Sequence, residues 1–461
     1  MRYSLADVAR VAHGTTNAPD VVFTSVDTDS RTVQPGGLFI ALHGEHFDGH
    51  DFIGQAMARG AAAVLCTRQV DAPHVLVTDC VQAYGDIAKL HRQSLKASVV
   101  AITGSSGKTS TKDLLAHVLR QCGATIAPPG NFNNELGLPR TVLSAQADTN
   151  FLVLEMGMRG IGHIQYLCEI AAPQVGVVLN VGTAHIELLG SREAIAAAKS
   201  EIVQSLPSDG VAVLYADDAV VAAMAHRTSA RVVTFGESPS ADVRISNVHL
   251  DENARPRFTL TYAGESFPVA LNMVGEHQAL NAAAVVAAAI AVGIEPGRAC
   301  SLLETATSES KWRMEVTELP NNITIINDAY NANPESMRVG LKTLKAMAQG
   351  RRSWAILGEM KELGAESMTA HDDIGRLCVR LDINRMVGIG DAGKIMQMGA
   401  AQEGSYANEA QWVDTPETAV QLLIAEVKPG DVIFIKASRG VALERVASAL
   451  IEHFSRENTR P

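Results

Sequence analysis

Cysteine is scarce in this chain of 461 residues, and its six thiols are scattered without a Cys-x-x-Cys pair. Such spacing indicates neither a zinc knuckle nor a disulfide framework. We therefore expect reduced thiols and a cytoplasmic protein. The cysteines are Cys66, Cys80, Cys122, Cys168, Cys300 and Cys378.

Basic charge is also in deficit, because 39 Lys and Arg residues stand against 50 Asp and Glu residues, giving a net charge of -11. Recognition of nucleic acid needs a surplus of basic surface that neutralises phosphates, so this balance argues against a nucleic-acid partner. An anionic small molecule must then be bound by a few local groups.

Long hydrophobic runs are missing as well. No window approaches the roughly 18 to 20 apolar residues of a membrane-spanning helix, and the opening MRYSLADVARVAHG lacks the apolar core of a signal peptide. The longest run of small residues, 279–294, contains Asn281 and predicts a buried helix. We expect no membrane span.

The length is about three times that of a typical domain of roughly 150 residues, so two or three domains are expected. In residues 1–95, short apolar stretches separated by Gly, Pro and Asp predict a small mixed α/β domain. In residues 96–310, runs rich in Val, Ile and Leu alternate with helical patterns, which predicts a largely parallel sheet covered on both faces. The pattern restarts in residues 311–461 and predicts a Rossmann-like, doubly wound α/β domain.

A glycine-rich turn follows the first apolar run of the central segment. In TGSSGKTS, residues 103–110, backbone N–H groups can surround phosphate oxygens, and the following helix contributes its positive dipole end. Lys108 supplies a mobile cation, and the Thr109 hydroxyl can bind magnesium. Ile102 replaces the first glycine of the strict P-loop pattern, so a plain tight turn is the alternative, but the order of strand, turn and helix favours a P-loop that binds ATP. The expected nucleotide contacts are Gly104, Ser105, Ser106, Gly107, Lys108, Thr109 and Ser110.

Three more polar residues are associated with the apolar runs of this segment. Glu155 ends the run NFLVLE, where a carboxylate could hold magnesium against the nucleotide. His185 follows the run VGVVLNV, and Lys199 lies on the helix beyond it. Taken alone, Glu155 is equally well explained as an ordinary strand-end acid. A lone histidine is more often structural than a ligand, and a lone lysine is usually a solvated charge, so these are the competing explanations of His185 and Lys199.

Together these segments resemble the Mur ligase family. The resemblance rests on TGSSGKTSTK, GNFNNELGLPRT, LEMGMRGIGHI, NVGTAHIELLGS with AAAKSEI, GEHQALNAAAV, NDAYNANPESM and LGEMKELG, which occur in this order across nearly the full chain. Among family members, NDAYNANPES and DSRTVQPGGLFIALHGEHFDGHDF resemble the bacterial enzymes that add D-alanyl-D-alanine to UDP-N-acetylmuramoyl-tripeptide. These two substrates are then the expected partners, and we expect a monomer.

The resemblance implies a ligase that uses ATP to form an amide through an acyl phosphate, in peptidoglycan synthesis. It implies Mg²⁺ bound by Glu155, His185 and a carbamylated Lys199, with Thr109 beside a second ion. Carbamylation would replace an ammonium group by a carboxylate-like anion, which magnesium can bind. The catalytic residues implied are Lys108, Glu155, His185 and Lys199.

Further contacts are implied in all three segments. The additional nucleotide contacts are Asn281, Arg313, Asp328, Asn331 and Asn333. The implied substrate contacts are Ser30, Arg31, His46, Asp48, His50, Asn131, Asn133, Asn134, Lys436 and Ser438. Ordinary turn chemistry in NANP and exposed loop charges near the N-terminus are the competing explanations. The chain departs from the family at Ala437, where glycine is usual, and at Glu359, where aspartate is common.

Other functions stay open on the residues alone. The segment GIGDAG, residues 388–393, matches the turn of dinucleotide-binding sheets and, with Asp414, would indicate an NAD-dependent oxidoreductase. A P-loop kinase would form a stable phosphorylated product. A related ligase that forms the tripeptide or extends an amino-acid chain would share the central motifs. The third residue of the stem peptide, meso-diaminopimelate or lysine, is also left open.

Overall fold

The computed structural model describes residues 1–44, 46–183 and 186–457. These ranges form three α/β units in chain order, which confirms the predicted fold class. None of the described helices combines the length and the apolar character that a membrane crossing requires. The predicted domain limits, after residues 95 and 310, stay predictions.

The N-terminal unit is a small mixed sheet with helices. Its elements are β1 (Tyr3–Ser4), α1 (Leu5–Val11), β2 (Thr15–Thr16), β3 (Val22–Phe23), β4 (Ser25–Asp27), β5 (Gly37–Ile40), α2 (Ile53–Ala58), β6 (Ala63–Cys66), β7 (His74–Leu76) and α3 (Cys80–Gln93). The sheet has the order β2-β7-β6-β5-β4 and is parallel except for β2, while β1 and β3 form a separate antiparallel ribbon.

The central unit is built on a nine-stranded sheet within the described ranges. Its strands are β8 (Ser98–Thr103), β9 (Thr125–Ile126), β10 (Phe151–Glu155), β11 (Val175–Val178), β12 (Val211–Tyr215), β13 (Arg231–Gly236), β14 (Val243–Leu250), β15 (Pro256–Tyr262) and β16 (Glu265–Ala270). Its helices are α4 (Lys108–Arg120), α5 (Gly137–Ser144), α6 (His163–Ala171), α7 (Ile186–Leu189), α8 (Arg192–Gln204), α9 (Ala219–Ala222), α10 (Gln278–Ala291) and α11 (Pro296–Leu303).

Strand order in this sheet is β16-β15-β14-β13-β12-β11-β8-β10-β9, parallel from β9 to β14. The central strands are buried on both faces, as the runs of Val, Ile and Leu predict. The strands β14 to β16 form an antiparallel extension that those runs do not predict. In β14 buried and partly exposed residues alternate at first, which is typical of a sheet with one solvated face.

The C-terminal unit is the predicted doubly wound sheet. Its elements are β17 (Glu315–Leu319), β18 (Ile323–Asn327), α12 (Pro334–Ala348), β19 (Ser353–Leu357), α13 (Ser367–Arg380), β20 (Arg385–Ile389), α14 (Gly390–Glu403), β21 (Ala410–Val413), α15 (Pro416–Glu426), β22 (Val432–Lys436) and α16 (Glu444–Glu457). The order is β17-β18-β22-β19-β20-β21, and only β17 is antiparallel. Short 3-10 helices in the chain are Gly49–Phe52, Ala223–Arg227, Pro320–Asn322, Gly364–Glu366 and Arg439–Val441.

Helix α3 fixes the N-terminal unit to the central unit by packing on α5 and α6. Its buried Arg92 donates from Nε to the carbonyl of Ala171 at 2.8 Å, and His91 Nε2 lies 2.9 Å from the carbonyl oxygen of Ala145. On the other face of the central sheet, α10 is almost entirely buried, as its run of alanines predicts.

A buried carboxylate organises one end of the C-terminal sheet. Asp431 accepts hydrogen bonds at 2.9 Å from Nε of Arg352 and from the indole Nε1 of Trp354. The Trp354 ring is fully buried, and the guanidinium groups of Arg352 and Arg385 lie 5.1 and 4.5 Å from its centroid. Arg352 Nη2 and the backbone N–H of Lys428 also donate to this carboxylate, so removing it would leave four donors without this acceptor.

We predict that Asp431→Ala lowers the free energy of unfolding of the C-terminal unit by about 3 kcal/mol, because one partner of a buried charged pair is lost. All three tryptophans, Trp312, Trp354 and Trp412, lie in the C-terminal segment, so tryptophan fluorescence in urea reports on this unit. The control is Asp373→Ala, which removes a half-exposed side chain inside α13 and should cost less than about 0.5 kcal/mol. Equal effects of the two variants would contradict the structural role of Asp431.

Candidate active site

Three neighbouring strands of the central sheet end at the same edge. Pairing in register places Glu155, the last residue of β10, opposite Ile102 in β8, and Val178, the last residue of β11, opposite Thr103. The segments that follow the three strands therefore leave the sheet side by side, where parallel sheets bind their ligands.

The phosphate loop, residues 104–107, joins β8 to α4. Gly107 has a φ of +81°, which favours glycine, and a Cβ atom there would lie 2.8 Å from Oδ1 of Asn281. The Nζ atom of Lys108 donates to the carbonyl of Gly104 at 2.7 Å. The predicted cation therefore lies directly on the loop that precedes it.

Asn180 supports this loop from the end of β11. Its Oδ1 accepts the backbone N–H groups of Ser105 and Ser106, both at 2.9 Å, and its Nδ2 donates to the Ser106 carbonyl. Nearby, the N–H of Gly182 donates to Ser105 Oγ at 2.8 Å. The sequence analysis missed Asn180, although its position just past a buried strand is the signal that identified Glu155.

Glu155 is buried and joins two segments of the site. One carboxylate oxygen accepts the Thr109 hydroxyl at 2.7 Å, and the other accepts Nδ2 of Asn133, also at 2.7 Å. Carboxylate and hydroxyl oxygens are the ligands that magnesium prefers. Among the described residues, no group of three or more His, Cys, Asp and Glu side chains is arranged to hold a metal ion. The carboxylate of Glu155 and the hydroxyl of Thr109 are two oxygen donors that these residues bring together here.

A second lysine of TGSSGKTSTK, which the sequence analysis did not single out, holds the asparagine-bearing segment. Lys112 is buried, and its Nζ donates to the carbonyls of Pro128 at 2.8 Å and Gly130 at 3.1 Å. Its charge is paired with Asp113 at 2.6 Å. These bonds fix the start of the segment from which Asn133 reaches Glu155.

Lys199 is buried in α8 and has no hydrogen-bond or ion-pair partner in the part of the chain that the structure describes. Burial lowers the pKa of its amine well below the usual value, and the nearby positive charge of Lys108 lowers it further. Burial also lowers the pKa of Lys108, an effect that Glu155 opposes. His185 lies outside the described residues.

Residues of the C-terminal unit line the same cavity as the phosphate loop. The Arg313 guanidinium lies 4.2 Å from the centroid of the Tyr330 ring. Lys436 is buried, and its Nζ donates to a carboxylate oxygen of Asp328 at 2.5 Å and to the carbonyl of Asn331 at 2.8 Å. In this arrangement Lys436 shapes the DAYNAN segment.

Two asparagines lie beside the phosphate loop, and one of them, Asn333, reaches it from the C-terminal unit. Asn333 caps α12 by accepting the N–H of Ser336 at 2.8 Å, and its Nδ2 lies 3.5 Å from the carbonyl oxygen of Ser105 in the phosphate loop. Asn281 lies against Gly107 and donates to Oε1 of Gln278 at 2.9 Å. Both predicted nucleotide contacts are therefore adjacent to the phosphate loop.

A cavity of about 920 Å³ lies between the three units and brings most of the predicted residues together. The predicted residues that line it are Ser105, Ser106, Gly107, Lys108, Thr109, Ser110, Asn131, Asn133, Asn134, Glu155, Asn281, Arg313, Asp328, Asn331, Asn333 and Lys436. Lining residues that the sequence analysis missed include Asp79, Gln82, Arg159, Tyr166, Tyr215 and Phe235. The last two are stacked aromatic rings with centroids 5.3 Å apart.

The predicted residues near the N-terminus do not line this cavity. Arg31 is exposed and bonded to Asp29, and the hydroxyl of Ser30 donates to Gln55 at 2.6 Å. His50 is bonded through Nδ1 to Asp48 and accepts the Thr67 N–H at Nε2, so this ring holds the loop in place. His46 is exposed. Their role as substrate contacts stays a prediction.

Two other segments also lie outside the cavity lining. Ser438 is buried and accepts the N–H of Lys361 at 2.9 Å, so its substrate contact stays a prediction. In GIGDAG, a Cβ atom on Gly388 would lie 2.2 Å from the carbonyl oxygen of Gly393. Close packing of α14 on β20 therefore accounts for these two glycines.

Family models match each of the three units. The description "Mur ligase family, catalytic domain" matches residues 22–94, "Mur ligase middle domain" matches residues 102–289, and "Mur ligase, glutamate ligase domain" matches residues 312–439. These matches cover more than half of the chain.

Relatives and solved structures agree with the models. The UDP-N-acetylmuramoyl-tripeptide--D-alanyl-D-alanine ligase of Mycobacterium tuberculosis is 44% identical over an alignment of 478 residues, which covers 95% of this chain and 94% of the relative. A crystal structure of MurF from Acinetobacter baumannii has a TM-score of 0.90 at 30% identity and covers 98% of this chain and 99% of its own. MurF ligase from Thermotoga maritima in complex with ADP has a TM-score of 0.82 at 29% identity, covering 95% and 98%. The chain therefore belongs to the Mur ligase family.

Proposed function

We propose that this chain is an ATP-dependent, ADP-forming ligase that joins D-alanyl-D-alanine to UDP-N-acetylmuramoyl-tripeptide in peptidoglycan precursor synthesis. The observation that carries the proposal is one cavity in which Lys108, Glu155 and Arg313 meet beside the phosphate loop. The name of the M. tuberculosis relative supports the substrates. The ADP complex of the T. maritima relative supports ATP as the nucleotide.

The reaction has two steps. A carboxylate oxygen of the tripeptide attacks the γ-phosphorus of ATP, the bond to the ADP oxygen breaks, and an acyl phosphate forms. The amine of D-alanyl-D-alanine then attacks the acyl carbon, inorganic phosphate leaves, and the amine loses a proton as the amide forms. Because the first step brings two anions together, neutralising their charge is the main task of the site.

Two cations that line the cavity, Lys108 and Arg313, support this charge neutralisation. Lys108 can exchange the Gly104 carbonyl for phosphate oxygens, since both lie within reach of the same loop. Arg313, from the C-terminal unit, lines the same cavity, and its planar guanidinium can bind phosphate oxygens in a forked geometry. Asn281 and the aromatic pair of Tyr215 and Phe235 are proposed to bind the adenine ring of ATP.

Magnesium fits the donors at the strand ends. Glu155, His185 and a carbamylated Lys199 are the proposed ligands of one ion, and Thr109 is proposed to lie beside a second ion. The hydroxyl of Thr109 lies 2.7 Å from a carboxylate oxygen of Glu155. When bound, magnesium would neutralise phosphate charge and polarise the γ-phosphoryl group. Asn133 holds one oxygen of Glu155 and so orients the carboxylate toward Thr109.

Lys199 has the properties that carbamylation requires. Carbon dioxide reacts with a neutral amine, and burial lowers the pKa of this lysine well below the usual value. No described group competes for its nitrogen. The carbamate would supply the anionic oxygens that an ammonium group lacks.

The remaining assignments complete the proposal. Ser30, Arg31 and the segment of His46, Asp48 and His50 are proposed to bind the UDP-sugar, which requires Arg31 to exchange Asp29 for the diphosphate. Asn131, Asn134, Lys436 and Ser438 are proposed substrate contacts. We further propose domains 1–95, 96–310 and 311–461, action as a monomer because one chain lines the cavity, and a cytoplasmic location because the reaction consumes ATP.

The proposed reaction is tested by phosphate release from ATP with UDP-N-acetylmuramoyl-tripeptide, with and without D-alanyl-D-alanine, and by the mass of the product. We expect sustained release and amide formation only when both substrates are present. Tripeptide labelled with ¹⁸O in its carboxylate should transfer one ¹⁸O to phosphate. A stable phosphorylated product would indicate a kinase, and absence of phosphate release would contradict the proposal.

We predict that Lys108→Ala lowers kcat for phosphate release by at least about 100-fold, because the cation nearest the phosphate loop is lost. Affinity for the UDP-sugar substrate, measured by calorimetry, should stay unchanged because its proposed pocket lies in the N-terminal unit. A variant that retains more than a third of the activity would contradict the assignment.

For Lys199→Ala we predict loss of at least about 100-fold in kcat, with partial rescue by short carboxylic acids that replace the missing oxygens. In ¹³C-bicarbonate, the wild type should give a carbamate NMR signal that this variant lacks. The exposed Lys96 supplies the control, since Lys96→Ala should keep both the signal and the activity. Full activity of Lys199→Ala would remove the carbamate from the mechanism.

A further inference from the structure

A carboxylate of the C-terminal unit contacts the central unit beside the phosphate loop. Glu335 is the second residue of α12, and its Oε1 accepts both the backbone N–H of Thr183 at 3.0 Å and the Thr183 hydroxyl at 3.1 Å. Its Oε2 is buried without a donor among the described residues. Burying a carboxylate oxygen without a donor costs free energy. The other contacts between the docked units must therefore offset this cost.

The segment that receives Glu335 also builds the phosphate loop. Gly182, next to Thr183, donates its N–H to Ser105 Oγ, and Asn180 accepts the N–H groups of Ser105 and Ser106. Thr183, which binds Glu335, is thus only one and three positions away from Gly182 and Asn180, which bind the phosphate loop. A shift of α12 must move this segment or break the two bonds of Glu335.

Gly182 leaves the space for this approach. A Cβ atom at Gly182 would lie 2.6 Å from Oε1 and 2.8 Å from Cδ of Glu335. Gly182 is not among the residues with positive φ, so alanine suits its backbone and would disturb mainly the contact with Glu335.

We infer that Glu335 is a positioning residue that couples docking of the C-terminal unit to the geometry of the phosphate loop, through Thr183 and Gly182. An acid in the first turn of a helix has an ordinary explanation in the helix dipole, but that explanation requires no contact with Thr183. The inference rests on the proposed function, because the coupling serves to assemble Arg313 and Lys108 around one nucleotide.

The kinetic test uses phosphate release with both substrates. We expect Glu335→Ala, which removes both bonds to Thr183, to lower kcat about tenfold, a typical size for coupling between sites. Thr183→Val keeps the backbone N–H bond and should lower kcat by a smaller factor of about five. Neither variant should change KM for the UDP-sugar substrate. Glu335→Gln keeps an acceptor oxygen and Thr183→Ser keeps the hydroxyl, so both should stay within about threefold of the wild type.

Two further variants separate the contact from general damage. The double variant Glu335→Ala/Thr183→Val should be no slower than Glu335→Ala alone, because Glu335→Ala already removes both bonds to Thr183. Gly182→Ala should lower kcat when it is made alone in the wild type. When it is added to Glu335→Ala, it should lower kcat little further. Lys342→Ala, on the exposed face of the same helix, is the control and should keep full activity.

A structural readout needs no turnover. Small-angle scattering should show that the wild type and Lys342→Ala become more compact with ADP and UDP-N-acetylmuramoyl-tripeptide, and that Glu335→Ala does so less. The thermal midpoint of Glu335→Ala should stay within about 2 °C of the wild type, since a contact between units contributes little to the fold of each.

Three results would overturn the inference: full activity of Glu335→Ala, failure of Glu335→Gln to restore it, or losses that multiply in the double variant. A wild type that releases no phosphate with both substrates contradicts the proposed function instead. In that case the scattering comparison still decides whether Glu335 holds the docked arrangement.

Discussion

The register of β8 with its neighbours β10 and β11 is the constraint on which the site depends. A slip of one residue would turn Glu155 to the other face of the sheet, away from the Thr109 hydroxyl. Both faces are closely packed, so a slip would move each Val, Ile and Leu into a space shaped for a different side chain. Packing of the apolar side chains therefore keeps Glu155 on the face where Thr109 lies.

The parts of the site that lie within one short segment could be predicted from the neighbouring residues in the sequence. The phosphate loop is one continuous segment, and Glu155 follows a recognisable buried strand. Asn180 and Lys112 hold partners that are 74 to 75 and 16 to 18 residues away in the sequence. The position of Asn180 just past a buried strand was a usable signal, whereas nothing in the immediate neighbours of Lys112 marks its role. Residues whose task is to hold another segment become visible only when the chain is folded.

The same limit explains the antiparallel strands β14 to β16 and the residues near the N-terminus. Continuous apolar runs are typical of buried parallel strands, whereas a strand with one solvated face shows only a weaker alternation of buried and exposed residues. For Arg31 and His50, the family resemblance supplied a role but could not show that Asp29 and Asp48 already bind these side chains. Charges near a site bind to each other as well as to a ligand.

Glu155 links the two halves of the cavity. Its two oxygens are shared between Thr109, next to the phosphate loop, and Asn133, in the segment expected to contact the peptide. A ligand that draws the carboxylate toward one side weakens its hold on the other, so the two halves of the cavity are thermodynamically linked. Linkage is reciprocal, and each occupant therefore changes the affinity for the other by the same factor.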